Sequence, residues 1–240
     1  MKAITKHIAH TLGFEIKRFS PASSHPLQLL KCLEFLNIDL VLDVGANKGQ
    51  FGAELRGIGY RNRIVSFEPL SQVHEVLTAK ARKDPLWEIY DRGAIGSEDG
   101  SVGINVSANS VSSSILPINA AHVDAAGKSE YVRQETVPIR RLDSIAQFIV
   151  SPADNIFIKI DTQGFEREVL AGAELLLKNV SGVLCELSIK TLYDGQPLWE
   201  DMVRFFTAAG FELWAIQTGF TNPDSGQTLQ FDGIFVRRGD

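Results

Sequence analysis

A short segment near residue 43 combines an acidic residue, a glycine-bearing turn and the start of a helix. It consists of Val41-Leu42-Asp43-Val44-Gly45-Ala46-Asn47-Lys48-Gly49-Gln50-Phe51. Gly45 can adopt a positive φ and lets the backbone approach a ligand closely. The N–H groups at the start of the helix suit a carboxylate, and Asp43 at the strand end suits a cationic amine. The pattern predicts a ligand that carries both groups, as methionine does.

A second acidic residue follows the next apolar run. Glu68 and Pro69 come directly after Arg63–Phe67. In sheets that bind nucleotides, an acidic residue at the tip of the second strand binds ribose hydroxyls. We therefore expect Glu68 to bind a ribose. The alternative is that Asp43 caps a helix and Glu68 is a solvated turn residue.

Three residues are candidates for acid–base chemistry. Asp161 and Glu186 lie at the ends of two later apolar runs, and ligands of open α/β sheets bind beyond the carboxyl ends of strands. A carboxylate there can act as a base towards a hydroxyl or hold a divalent cation. Asp161 is the first candidate, Glu186 the second and His122 the third. Each candidate has an alternative role. Asp161 would bind the amine of the ligand or cap a helix, Glu186 would pair with Lys159, and His122 would be exposed to solvent.

These residues need a scaffold of alternating strands and helices. The predicted strands are Leu40–Val44, Arg63–Phe67, Trp87–Ile95, Asn155–Ile160, Gly182–Leu187, Phe211–Gln217 and Leu229–Arg237. The predicted helices are Leu27–Leu36, Gln50–Gly57, Ser71–Arg82, Arg167–Leu177 and Trp199–Ala209. Such alternation predicts a mostly parallel sheet with helices on both faces. The last two strands lack an intervening helix, so we expect an antiparallel hairpin.

The motifs resemble the FkbM family of methyltransferases over about residues 38–237. Four blocks carry the resemblance: Asp43–Gln50, Phe67–Pro69, Arg141–Ile145 and Ile158–Glu166, the last continued by Val169–Ala173. The family more often has Glu where this chain has Gln163. The alternating pattern with its terminal hairpin looks like the three-layer, Rossmann-like class I methyltransferase fold. That fold has a seven-stranded, mostly parallel sheet with an antiparallel C-terminal strand.

The resemblance implies an S-adenosylmethionine-dependent enzyme. By similarity, the cofactor-binding residues are Asp43, Gly45, Ala46, Asn47 and Gly49 at the methionine end, Glu68 and Pro69 at the ribose, Ala94 near the adenine, and Asp161. The family also implies an acceptor hydroxyl on a sugar, a glycolipid or polysaccharide precursor, or a related secondary metabolite.

Two absences from the sequence refine this expectation. Several magnesium-dependent O-methyltransferases have an adjacent pair of acidic or amide residues at the end of the fifth strand, whereas this chain has Glu186 alone, so we expect no metal. Enzymes that methylate nucleobase amines typically carry an Asn/Asp-Pro-Pro-aromatic motif. The segment Asp161–Phe165 lacks that motif, which favours an oxygen acceptor.

Two other functions are considered. An NAD-dependent oxidoreductase is disfavoured by Asn47, which replaces the middle glycine of the dinucleotide motif, and by the terminal hairpin. A non-catalytic or regulatory domain that binds S-adenosylmethionine is disfavoured because Asp43, Glu68 and Asp161 are all present.

Two segments fall outside the repeating pattern. In residues 1–20, Ile4, Ile8, Leu12 and Ile16 recur at a spacing of four among basic residues, which predicts an amphipathic helix. It would contact a membrane surface, its own domain or a second subunit of a homodimer. A linker to residue 26 separates this helix from the methyltransferase domain at 27–240. The polar stretch 97–135 has only weak strand signals and is interpreted as an insertion or lid that helps to select the acceptor.

Composition limits the function further. The chain has 240 residues, of which 44% are hydrophobic and 22% charged, and its net charge is −5. This charge argues against a nucleic-acid partner. Cys32 and Cys185 have no second ligand at metal-binding spacing, so we expect buried free thiols in a reducing compartment. No apolar run is long enough to span a membrane and no secretory signal is recognisable, so we expect the cytoplasm.

Overall fold

The computed structural model describes residues 2–126 and 129–239. Its helices are α1 (Lys2–Thr11), α2 (His25–Phe35), α3 (Gln50–Ile58), α4 (Ser71–Ala81), α5 (Ala120–Ala125), α6 (Leu142–Ile149), α7 (Glu166–Ala171) and α8 (Trp199–Ala208). Its strands are β1 (Leu40–Val44), β2 (Arg63–Phe67), β3 (Trp87–Ile89), β4 (Ala94–Ile95), β5 (Gly100–Ser107), β6 (Tyr131–Arg140), β7 (Ile156–Ile160), β8 (Val180–Ser188), β9 (Phe211–Thr218) and β10 (Gln230–Arg237).

The main sheet has seven strands in the order β3-β2-β1-β7-β8-β10-β9. The pairs from β3 to β8 are parallel, and β10 runs antiparallel to both β8 and β9. Every residue of β1 and β7 is buried, as expected for parallel strands that helices cover on both faces. The predicted fold class, including the antiparallel C-terminal strand, is confirmed.

The core consists of two apolar layers, one on each face of this sheet. Helices α6, α7 and α8 contribute Leu142, Ile145, Val169, Leu170, Met202 and Phe206 to one layer. Helices α2, α3 and α4 contribute Leu29, Leu33, Leu55 and Leu77 to the other. Cys32 and Cys185 are buried free thiols, as predicted. The two layers fix the carboxyl ends of the strands, where the candidate site residues lie.

A second, three-stranded sheet corrects two predictions. The predicted strand Trp87–Ile95 is two strands, because the chain leaves the main sheet after Ile89 and Ala94–Ile95 pairs with β6 instead. The polar stretch 97–135 contains β5 and the start of β6, which pair as an antiparallel hairpin. The buried apolar residues of these strands, which include Ile104, Val106, Val137 and Ile139, pack on Leu70 and Val73. The small sheet is therefore anchored to the domain.

Two helices also differ from the predictions. The helix predicted over Arg167–Leu177 ends at Ala171, and a short 3₁₀ turn follows at Leu176–Asn179. The Asp143 carboxylate accepts the backbone N–H groups of Leu175 and Leu176 at 3.2 and 2.9 Å, which stabilises a turn here. Helix α6 was not predicted.

The N-terminal helix is shorter than predicted. It ends at Thr11, and Gly13 then adopts a φ of +80°, a common way to terminate a helix. Leu12 and Ile16 therefore lie beyond the helix, and the side chain of Ile4 lies outside the described part of the structure. Ile8 and Leu12 are 55% and 68% exposed, so packing on the same domain is not seen. A membrane surface and a second subunit stay open as predictions. Among the described residues, no helix is long and apolar enough to cross a membrane.

Candidate active site

The tips of β1 and β7 touch at the carboxyl edge of the main sheet. Gly45 has a φ of +77°, and a Cβ atom at this position would lie 1.9 Å from the backbone oxygen of Asp161. The expected positive φ at Gly45 is therefore confirmed. Only glycine combines this φ with so close a contact, so the turn holds Asp161 beside the start of α3.

Two depressions open at this edge, and we name the first the inner cavity. It lies between the tips of β1, β2 and β7, strand β4 and the serine-rich turn after β5. The predicted cofactor-binding residues on its wall are Gly45, Asn47, Glu68, Pro69, Ala94 and Asp161. Ser110, Val111, Ser113 and Ser114 of the polar stretch also line this cavity. Most of the predicted cofactor residues thus surround one cavity.

Glu68 joins two loops of the inner cavity. Its two carboxylate oxygens accept the backbone N–H groups of Asn47 at 2.9 Å and Leu70 at 2.8 Å. Glu68 is 4% exposed, and burial raises the pKa of its carboxyl group to about 7. Each oxygen keeps a second lone pair, so Glu68 can still accept hydrogen bonds from a ligand.

Asp43 lies below the cavity wall. It is fully buried, its Oδ2 accepts the Ser66 hydroxyl at 3.0 Å, and its Oδ1 lies 3.3 Å from the Lys159 ammonium. Burial raises the pKa of Asp43, and the Lys159 charge opposes that shift. The cation nearest Asp43 is therefore a residue of the chain. That Asp43 meets a ligand amine stays a prediction, and this geometry does not support it.

Two further predicted cofactor residues lie away from the inner cavity. A Cβ atom on Gly49 would lie 2.7 Å from the Leu77 side chain and 3.0 Å from that of Trp87. Gly49 thus allows α3 to pack against α4 and β3. Ala46 is buried and lines the second depression. The family resemblance implied that both lie at the methionine end because they belong to the motif Asp43–Gln50.

We name the second depression the outer cleft. It lies between the N-terminal ends of α2 and α3 and the edge formed by β7, β8, β10 and β9. Its wall includes His25, Gln50, Glu54, Lys159, Gln217 and Asp232. It shares Gly45, Asn47, Val111 and Asp161 with the inner cavity. Asp161 is therefore a carboxylate that faces both depressions.

Gln163 and Lys159 hold the Asp161 carboxylate. Gln163 donates its amide to Asp161 Oδ1 at 2.8 Å, and the Lys159 ammonium lies 3.6 Å from Asp161 Oδ2. Gln163 has a φ of +55°. Its backbone oxygen accepts the Ser114 hydroxyl at 2.7 Å, and its side-chain oxygen accepts the Tyr193 hydroxyl at 2.8 Å. The loop after β7 is thus fixed from several sides.

Glu166 secures the same loop from its other end. One of its oxygens accepts the backbone N–H groups of Thr162 at 2.9 Å and Gly164 at 3.1 Å. Glu166 is 2% exposed, and burial raises the pKa of its carboxyl group to about 7. The motif residue therefore supports Asp161 from within the protein.

Glu186 lies behind Asp161, between two amides. Its Oε2 accepts the side-chain N–H groups of Gln163 at 3.0 Å and Gln230 at 2.7 Å. Burial and the nearby Asp161 raise its pKa well above the ordinary range. Glu186 lies outside the walls of both depressions, so its carboxyl group does not face a ligand bound in either of them. The geometry does not support Glu186 as the second candidate base, and Lys159 pairs with Asp43 and Asp161 instead.

His122 is also away from both depressions. It is 3% exposed, and its ring packs against Tyr193 and Phe220 at centroid distances of 5.1 and 5.5 Å. Burial lowers its pKa. Both the expected contact with the acceptor and the solvent-exposed alternative are therefore wrong, because the His122 ring is buried in a small cluster with Tyr193 and Phe220.

Sequence reasoning missed the site roles of Lys159, Gln163 and Asp232. Lys159 interrupts the apolar run Ile156–Ile160, and Asp232 interrupts the last apolar strand. A charge inside a buried strand usually has a partner or a function, and this signal was available. Among the residues that the structure describes, no group of three or more His, Cys, Asp or Glu side chains is arranged to hold a metal ion.

Comparison with known sequences decides the family. The model of the methyltransferase FkbM domain matches residues 43–213, which is more than half of the chain. The chain belongs to the FkbM methyltransferase family. It is therefore an S-adenosylmethionine-dependent methyltransferase, and the oxidoreductase and non-catalytic alternatives are set aside. No curated protein sequence matches the chain.

Two solved structures align with this FkbM methyltransferase. A protein from Klebsiella pneumoniae assigned as an O-methyltransferase aligns with a TM-score of 0.51 and 8% identity, over 98% of this chain and 89% of the other. Fibrillarin from Aeropyrum pernix, solved with natively bound S-adenosylmethionine, aligns with a TM-score of 0.47 and 12% identity, over 82% of this chain and 66% of the other. At 8% identity, the alignment with the Klebsiella pneumoniae protein describes the fold alone.

Proposed function

We propose that this FkbM methyltransferase transfers the methyl group of S-adenosylmethionine to a hydroxyl group of a sugar-bearing small molecule. The observation that carries the proposal is the position of Asp161. It faces the inner cavity, where most predicted cofactor residues lie, and the outer cleft, which is open to a second molecule. A methyl donor and an acceptor can thus meet beside one carboxylate.

The inner cavity has the donor and acceptor groups that the cofactor requires. Glu68 offers free lone pairs to the ribose hydroxyls, and the apolar Ala94 and Phe165 suit the adenine. The Ser110 hydroxyl is buried, and it has no hydrogen-bond partner among the described residues. A buried polar group without a partner is costly, and a ligand in the inner cavity would satisfy it.

Asp161 is the proposed base. Bound S-adenosylmethionine supplies an electrophilic methyl group. As the acceptor oxygen bonds to the methyl carbon, the carbon–sulfur bond breaks and its electron pair stays on sulfur, while Asp161 takes the proton from the acceptor oxygen. A base in this role contributes about 10²- to 10⁴-fold to the rate. Gln163 and Lys159 fix the orientation of the carboxylate. Such positioning matters because the transfer requires an in-line arrangement of the reacting atoms.

The acceptor is proposed to be small and to contain no nucleic acid. A net charge of −5 and the carboxylates of the outer cleft disfavour a polyanion. The sugar-bearing hydroxyl follows from the FkbM family. The two buried free cysteines support a cytoplasmic location for the enzyme, since that compartment keeps thiols reduced.

Methyl transfer to defined acceptors tests this proposal. The enzyme is incubated with S-adenosylmethionine labelled in its methyl group and with simple glycosides, a catechol, a peptide and a short RNA. We expect label in at least one glycoside, as an acid-stable methyl ether. Label in the peptide or RNA with none in the glycosides would contradict the proposed acceptor, and the Asp161→Asn variant controls for contaminating activity.

A further inference from the structure

We infer that the outer cleft is the acceptor-binding site and that Asp232 makes it selective for neutral or amine-bearing polyols over anionic ones. This inference rests on the proposed function. It is carried by the continuity of the outer cleft with the inner cavity at Gly45, Asn47, Val111 and Asp161, and by the environment of Asp232.

Strand register brings Asp232 into the same row as the proposed base. Asp232 of β10 pairs with Glu186 of β8 and with Gln217 of β9. Lys159 of β7 pairs with Leu184, two residues before Glu186. Because alternate residues of a strand share a face, Asp161 continues the row at the end of β7. The row lies on the face that α2 and α3 cover, and its free side chains open into the cleft.

The Asp232 carboxylate is free to bind a ligand. It is half-buried at the cleft wall, and it accepts no hydrogen bond from the residues that the structure describes. Burial, together with the nearby Asp161 charge, raises its pKa to about 7, and the Lys159 charge opposes that shift. A carboxylate that is held partly out of water without a donor gains from a ligand that supplies one.

The charges of the cleft determine which ligands fit. Glu54, Asp161 and Asp232 contribute carboxyl groups to its wall. Lys159 is also on the wall, but its ammonium is committed to Asp43 at 3.3 Å and to the backbone oxygen of Gly45 at 2.9 Å. Hydroxyl and ammonium groups donate hydrogen bonds to carboxylates. A carboxylate or phosphate on the ligand would instead face like charges, which weakens its binding.

The size of the cleft suits such a ligand. Its volume is about 330 Å³, which is at the lower end of the range of small-molecule sites. The Gln217 amide donates to the backbone oxygen of His25 at 3.1 Å and to the Gln28 side chain at 3.0 Å, and so ties β9 to the start of α2. The wall of the cleft opposite Asp161 is therefore held in place, so it can discriminate between ligands.

Direct binding tests the inference without requiring turnover. The probes are methyl glucoside, methyl glucosaminide and methyl glucuronide, which share a pyranose ring and differ in charge. Each is titrated by NMR into the protein loaded with S-adenosylhomocysteine. The variant is Asp232→Asn. The matched control is Asp224→Asn, the same substitution at an exposed position in the loop between β9 and β10. Calorimetry with S-adenosylhomocysteine is run on all three proteins.

We expect the glucoside and the glucosaminide to bind with at least about tenfold higher affinity than the glucuronide, in line with the strength of charge-assisted hydrogen bonds. Asp232→Asn should close most of that gap, Asp224→Asn should keep it, and cofactor affinity should stay unchanged. Three results would overturn this inference and leave the proposed function standing. The first is glucuronide binding that equals or exceeds glucoside binding, and the second is a difference in affinity that persists in Asp232→Asn. The third is a protein that binds S-adenosylhomocysteine but no glycoside. Failure of the wild-type protein to bind S-adenosylhomocysteine would overturn the proposed function as well.

Discussion

The Lys159 ammonium lies 3.3 Å from the Asp43 carboxylate, and both side chains are buried beneath the glycine turn. Lys159 also donates to the backbone oxygen of Gly45 at 2.9 Å. One lysine thus connects the strand that precedes the turn, the turn itself and the strand that precedes Asp161. This arrangement ties the three segments of the site edge together.

Removal of Lys159 should destabilise the fold. In Lys159→Met the Asp43 carboxylate stays buried without its partner, so the free energy of unfolding should fall by about 3–5 kcal/mol. Denaturant unfolding followed by circular dichroism measures the change. Lys31→Met is the control, because Lys31 and Glu34 form an exposed ion pair, worth about 1 kcal/mol at most. Similar losses in the two variants would show that the buried pair has no special role.

The Asp161→Asn variant should lose turnover and keep the cofactor. The amide cannot accept the hydroxyl proton, so kcat should fall by about 10²- to 10⁴-fold. The Kd of S-adenosylhomocysteine should change much less. Steady-state assays with the best glycoside acceptor give kcat, and calorimetry gives the Kd of S-adenosylhomocysteine. Equal losses in kcat and in affinity would make Asp161 a cofactor ligand and reopen the question of the base.

The Glu166 carboxyl group should make the free energy of unfolding depend on pH. Burial raises the pKa of Glu166 from 4.5 to about 7 in the folded protein. Between these values the unfolded chain binds fewer protons than the folded one, so this group lowers stability as pH rises from about 4.5 to 7. In Glu166→Gln the decline should be shallower than in wild type. Denaturant unfolding at several pH values measures it, with exposed Glu75→Gln as control. If the free energy of unfolding changed with pH by the same slope in all three proteins, the raised pKa of Glu166 would be refuted.

The main sheet could be predicted because its strands are continuous apolar runs between turn signals. The small sheet could not, because the burial patterns of β5 and β6 are irregular and their pairing joins segments on either side of a long serine-rich stretch. The inner cavity was largely predictable because Gly45, Asn47 and Glu68 belong to short local motifs. The row from Asp161 to Asp232 required the register of β8 and β10, which no local pattern contains.

Divalent cations should leave the wild-type enzyme unaffected and bind to a Gln163→Glu variant. Gln163 separates the Asp161 and Glu186 carboxyl groups by donating its amide to both. Glutamate at this position would place a third carboxylate there, and clustered carboxylates suit Mg²⁺. EDTA should not change wild-type kcat, while Mg²⁺ should raise the Tm of Gln163→Glu only. Loss of wild-type activity in EDTA, with recovery in Mg²⁺, would contradict the expectation that no metal takes part.

Calorimetric titration of S-adenosylhomocysteine into wild type and Glu68→Ala tests the placement of the cofactor in the inner cavity most directly. Glu75→Ala, an exposed glutamate on α4, is the control. Loss of the hydrogen bonds from the ribose to a charged acceptor should weaken binding by about 10- to 150-fold in Glu68→Ala and leave Glu75→Ala unchanged. Circular dichroism confirms that the variants fold. Unchanged affinity in a folded Glu68→Ala protein would contradict the placement of the cofactor in the inner cavity.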